Sequence, residues 1–154
     1  MKQLITREYW IPKIVTFFGM FAGLCNVAAS DWGYGARYTM FHTVVTLIYM
    51  MIAVGTALYC IHKRRKSSLV TAAIHWSAVI LLTLPVIFEK FGLLTFNSTG
   101  YYTVMVLVPL NGALFGVNRF WGAKLGALAN ASFPVLFAAG MLALIGWGMH
   151  RMVR

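Results

Sequence analysis

Residues 38–62, YTMFHTVVTLIYMMIAVGTALYCIH, and residues 67–88, SSLVTAAIHWSAVILLTLPVIF, contain no Asp, Glu, Lys or Arg, and only KRRK at 63–66 stands between them. As helix, an apolar run of about 20 residues crosses the ~30 Å hydrocarbon layer of a bilayer. Both windows meet that length. Backbone groups in lipid must be paired within the segment, so runs this long and continuous read as helices. The alternating strands of about 10 residues that build a membrane barrel are absent. The stretch therefore reads as a helical hairpin closed by a basic turn, and the positive-inside bias puts that turn on the cytoplasmic side.

Three further uncharged windows, 14–30, 91–118 and 125–150, extend the pattern along the chain. Of the 154 residues 60% are hydrophobic and 10% charged, with a mean hydropathy of +0.77. A soluble domain carries roughly 25% charged residues, and one this small buries only about 70% of its unfolded surface. The excess of apolar surface excludes an ordinary soluble enzyme, a disordered chain and a disulfide-stapled module. The expected fold is an all-α integral membrane protein, one domain over 1–154. Five transmembrane helices are expected at about 11–30, 39–62, 68–88, 101–118 and 125–149. Four is the alternative count, if windows four and five form one re-entrant span. Lys13 can snorkel from the short first span, and Tyr9, Trp10, Trp32, Tyr101, Tyr102, Trp121 and Trp147 sit near window edges, as interfacial belts do.

A cytoplasmic N-terminus with five spans places nine basic residues inside, among them Arg119 and Lys124, and four outside, Arg37, Lys90, Arg151 and Arg154. The expected location is the cell's inner (plasma) membrane. The first helix is expected to be retained, because its basic region is long and Gly19 and Gly23 give it a packing face. The net charge of +10 flanks hydrophobic spans and forms no basic face with interleaved aromatics. It suits anionic lipid headgroups, at about 1 kcal/mol per Lys or Arg near the surface, and not nucleic acid. Cys25 and Cys60 fall at different depths, so no disulfide is expected.

Helices in lipid pack through small and weakly polar residues. Thr16, Gly19, Gly23, Asn26 and Ser30 form one such stripe, and Gly112–Gly116, Gly122–Gly126 and Ala139–Ala143 repeat the four-residue step. These faces imply close association within the bundle, with other membrane subunits, or between copies of the chain. The second helix carries a polar ridge of His42, Thr46, Tyr49, Ala53, Thr56 and Cys60. The third carries Thr71, His75, Ala78, Leu82, Pro85 and Glu89. Such ridges either hydrogen-bond helix to helix or line an interior path, to which Asn111, just after Pro109, would add freed carbonyls.

No span centre holds an acidic or basic residue, which argues against an ion-driven pump. His75 lies about 9 Å into the third helix and is the one buried candidate for a ligand or proton relay. In the five-span threading His42 and His150 share the outer side, the arrangement a bis-imidazole haem needs. Without CxxCH any haem would be non-covalent haem b, so His42, His75 and His150 are cofactor candidates only in that case. No resident cofactor or metal site is expected. GxSxG, HExxH, P-loop and dinucleotide motifs are missing, and Glu8, Asp31 and Glu89 are the only acids. The leading functional expectation is a non-catalytic membrane component or subunit of a larger membrane assembly. A small transporter or channel using helices 2–4 is the first alternative, and a haem b or quinone redox subunit the second.

Overall fold

The computed structural model describes residues 10–29, 38–90, 93, 112–120 and 123–153. Among them are four α-helices and one 3-10 helix, with no strand. Helix α1 is Trp10–Ala29, with Pro12 in its first turn, where the missing N–H costs no hydrogen bond. Helix α2 is Met40–His62. Thr39 caps it, and its backbone N–H donates to His42 Nδ1 at 3.0 Å, so histidine takes the place that Glu or Gln holds in a capping box.

The turn 63–66 is a Schellman closure. Arg65 N–H donates to Cys60 O at 2.8 Å and Arg64 N–H to Ile61 O at 3.1 Å. Arg64 takes the left-handed conformation, φ 51°, that glycine usually fills. Helix α3 follows as Lys66–Lys90, with Pro85 inside it. The 3-10 helix is Gly112–Phe120, and α4 is Ala123–Val153 with Pro134 inside.

Contacts fix the direction of each helix. Gly19 abuts Tyr49, and Asn26 reaches Thr46, so α1 is antiparallel to α2. Tyr49 and Phe137 both meet Trp76. Gly148, near the end of α4, presses on the Ile61 side chain at the end of α2. The end of α4 therefore lies beside the turn 63–66, and α4 runs parallel to α2. The 3-10 helix climbs toward the start of α2: Ala113 bonds Thr46, Gly116 bonds Thr43, and Arg119 reaches Met40 Sδ at 2.7 Å.

Two expectations change here. The stretch 101–118 was read as one transmembrane α-helix; residues 101–111 lie outside the described residues, and 112–120 is a 3-10 helix. Its carbonyls are taken by side chains of α1 and α2, so they need no α-helical partners. The five-span order also put Arg119 at the end of the bundle that holds 63–66, and Arg151 at the other. The structure reverses both. Arg119 sits by Met40, about 34 Å along α2 from Lys63, and Gly148 sits by Ile61. The cause is that the 3-10 segment, docked beside the first half of α2, returns the chain to the end from which α4 starts.

The interior mixes small apolar, large apolar and polar side chains, with Tyr49, Leu69, Leu114, Met141 and Ile145 among the large ones. The interior holds Gly19, Ala22, Ala53, Ala57, Ala113 and Ala138, together with the polar Asn26, Thr43, Thr46 and Thr83. Trp76 is the largest buried side chain, braced edge-on by Phe137 at 5.3 Å and tilted against Tyr49 at 6.5 Å. Phe17 is 70% exposed, Met51 67%, Ile74 66% and Leu136 70%. Three helices, Met40–His62, Lys66–Pro85 and Ser132–Val153, are long and apolar enough to cross a membrane. Lys13–Asn26 is a shorter apolar helix.

Candidate functional site

Two polar constellations occupy the space between the helices, one toward the Met40 end and one toward the turn 63–66. At the Met40 end, Asn26 is fully buried on the small-residue stripe of α1. Its Nδ2 donates to Gly112 O at 2.7 Å, to Thr46 Oγ1 at 3.0 Å and to Ala113 O at 3.3 Å. Thr46 Oγ1 donates to Ala113 O at 2.9 Å and accepts from Gly116 N–H at 3.1 Å. The hydroxyl thus sits between the C=O and N–H that a 3-10 turn would join. A hydroxyl has one proton and two lone pairs, and all three are used here. Thr43 Oγ1 donates to Gly116 O at 2.9 Å.

Buried backbone groups need hydrogen-bond partners, and this cluster supplies them to Gly112, Ala113 and Gly116. Gly116 permits the approach: a Cβ there would strike the His42 main-chain carbonyl and the Thr46 hydroxyl. Asn26 Oδ1 is buried and has no hydrogen-bond partner among the described residues.

Toward the turn 63–66, α1 and α3 stand apart over α2 and leave a small open cleft. Val15 and Thr16 of α1 form one wall. Ala53, Thr56, Ala57 and Cys60 of α2 form the floor. Ser68, Thr71, Ala72 and His75 of α3 form the other wall, closed by Trp76 and Met141. Thr16 and Thr71 are exposed at the rim. His75 stands edge-on to Trp76 at 4.9 Å, and its Nε2 is buried without a hydrogen-bond partner among the described residues.

The two ridges expected from the sequence meet only at this cleft. On α2 the buried positions are Thr43, Thr46, Tyr49, Ala53, Ala57 and Cys60. The ridge therefore faces inward over most of its length, while Thr56 sits at the cleft's edge and His42 at the helix head. On α3 the buried face is Ser68, Leu69, Trp76, Val79 and Thr83. Thr71, His75, Ala78 and Leu82 lie about one residue of rotation away, on its flank. The Glu89 side chain, Asn111 and Gly122 lie outside the described residues, as do the surroundings of Gly126. Gly19, Gly23, Asn26, Gly112 and Gly116 are all buried, and Ala139 and Ala143 are exposed. Thr43, Trp76 and Gly148 were not singled out. Thr43 was visible as the residue one turn before Thr46, whereas nothing local marks Gly148.

His42 and His150 do not converge. His42 Nδ1 accepts the Thr39 N–H, which assigns the ring proton to Nε2. His150 is exposed two residues beyond Gly148, at the far end of α2 from His42. Nineteen helical residues, about 28 Å, separate His42 from Ile61. A bis-imidazole haem held by His42 and His150 does not fit this arrangement. Among the described residues no group of three or more His, Cys, Asp or Glu could hold a metal ion, and Cys25 and Cys60 form no disulfide. No protein-family model, curated protein or solved structure matches the chain.

Proposed function

We propose that this chain is a non-catalytic integral membrane component that crosses the bilayer four times and works by packing and binding. In this reading α1 to α4 are the spans, and the 3-10 segment is a non-spanning element docked beside the first half of α2. Both ends of the described bundle, the start of α1 and the end of α4, face the cytoplasm with the turn 63–66. The observation that carries the reading is a surface of large apolar side chains, Phe17, Met51, Ile74 and Leu136 among them, around an interior that holds the polar Asn26, Thr43 and Thr46 with close-packed Gly and Ala. Lipid rewards that arrangement, because large apolar side chains gain nothing by leaving it and small ones let backbones approach. In water the same surface would be one continuous apolar patch.

The charges agree with the threading. Lys2, Arg7, Lys13, the four residues of 63–66, Arg151 and Arg154 make nine on the inner side. Arg37, Lys90, Arg119 and Lys124 make four on the outer. A channel is less well supported, because the Asn26–Thr46 cluster fills the Met40 half of the interior with side chains whose donors are already engaged. Solute flux in liposomes tests the choice. The non-catalytic reading expects no flux above protein-free vesicles, and flux abolished by substitutions at Asn26 and His75 would replace it with a transporter.

A further inference from the structure

The cleft between α1 and α3 lies immediately beneath the chain's densest positive charge. Cys60 on its floor is three residues before Lys63, and Ser68 on its wall is two residues after Lys66. Lys13 is one turn before Thr16 at the opposite rim. From Cys60 to Ala53 the floor descends seven residues, about 10 Å along the helix. Its wall carries Ser68, Thr71 and Ala72 near the mouth, the Thr71 hydroxyl donating to Ser67 O at 3.2 Å, with His75 deeper and apolar Trp76 and Met141 at the base. Charge at the mouth, hydrogen-bonding groups below it and an apolar base follow the order of groups in a phospholipid: phosphate, ester, chain.

A second observation points the same way: among the described residues the buried Nε2 of His75 has no hydrogen-bond partner, and a ligand oxygen in the cleft would provide one.

We infer that this cleft is a binding site for one anionic phospholipid of the leaflet that faces the turn 63–66. The phosphate lies among Lys66, Ser68 and Thr71, an ester oxygen accepts from His75 Nε2–H, and an acyl chain covers Trp76 and Met141. The inference rests on the membrane-embedded reading above, but not on the number of spans.

The test is native mass spectrometry of the delipidated full chain in mild detergent, offered an equimolar mixture of phosphatidylglycerol and phosphatidylcholine. The expected result is a single-lipid adduct in which phosphatidylglycerol exceeds phosphatidylcholine by about 25-fold, the yield of two engaged charges at about fivefold each. Lys66→Gln is expected to cut that preference about fivefold, the worth of one charge. Thr71→Trp fills the cleft from its exposed rim and is expected to abolish the adduct. Ala139→Trp, equally bulky on an exposed face of α4, leaves it intact. Equal adducts with the two lipids overturn the inference, as does an adduct that survives Thr71→Trp or is lost in Ala139→Trp. Displacement by millimolar inorganic phosphate alone also overturns it, since the ligand would then be free phosphate. A chain that is membrane-embedded but shows no lipid preference ends the cleft inference and leaves the threading standing.

Discussion

Adding one methyl group at Gly116 drives a carbon into the main-chain carbonyl of His42 and the hydroxyl of Thr46. Neither obstacle can rotate away. The carbonyl belongs to the first turn of α2, and the hydroxyl is held by Asn26, Ala113 and Gly116 together. Gly116→Ala must therefore push the 3-10 helix off α2. That loosens the bonds from Thr43 to Gly116 O, from Gly116 N–H to Thr46 and from Thr46 to Ala113 O. Interhelical hydrogen bonds in membranes average about 0.6 kcal/mol each, and overpacking costs typically 1–3 kcal/mol. The expected destabilisation is about 2–4 kcal/mol.

Gly55→Ala is the matched control, because its added Cβ meets nothing within 4 Å. It is expected to be neutral or to stabilise by up to about 0.8 kcal/mol through helix propensity alone. Equilibrium unfolding in mixed micelles of mild detergent and dodecyl sulfate, followed by circular dichroism and tryptophan fluorescence, measures both. A Gly116→Ala protein within about 0.5 kcal/mol of the parent, the scatter of an ordinary surface change, would refute the docking of the 3-10 helix on α2.

Three further outcomes follow from the same geometry and are read by the same unfolding measurement. Asn26→Asp turns an amide that donates to Gly112 O and Ala113 O into a carboxylate facing two carbonyls. It should cost about 3 kcal/mol or more, and more than Asn26→Ala; parity between the two would show that the amide does not donate there. Arg64→Gly relieves a left-handed φ of 51° and should stabilise by up to about 1 kcal/mol, and a loss of stability would contradict the Schellman closure. Gly148→Ala meets only the Ile61 side chain, not backbone. It should cost about 1 kcal/mol, clearly less than Gly116→Ala.

The helices themselves were legible because charge is excluded from oil. The uncharged windows gave α2 and α3 to within two or three residues, and small residues at four-residue steps marked Gly19, Gly23, Asn26, Gly112 and Gly116, all of which are buried. The direction of α4 was not legible. Moving Arg119 and Lys124 outside while moving Arg151 and Arg154 inside exchanges two charges for two, so nine and four result from either threading. Only the contact of Gly148 with Ile61 breaks that degeneracy.

The 3-10 helix was hidden for a related reason. Its Gly112–Gly116 step suits an α-helical packing face equally well. The side chains that replace its α-helical hydrogen bonds come from Asn26, Thr43 and Thr46, more than 65 residues away in sequence. On α3 the ridge was misphased because polarity was used to find the buried face, whereas Trp76 and Val79 set it by bulk.

The side of the membrane reached by three positions tests the account most directly. Single cysteines at Arg64, Arg119 and Arg151, in a chain with Cys25 and Cys60 replaced by alanine, can be labelled with an impermeant maleimide in sealed vesicles. The four-span threading predicts that positions 64 and 151 react from one side and position 119 from the other. Labelling of 64 and 119 from the same side, with 151 opposite, would contradict it.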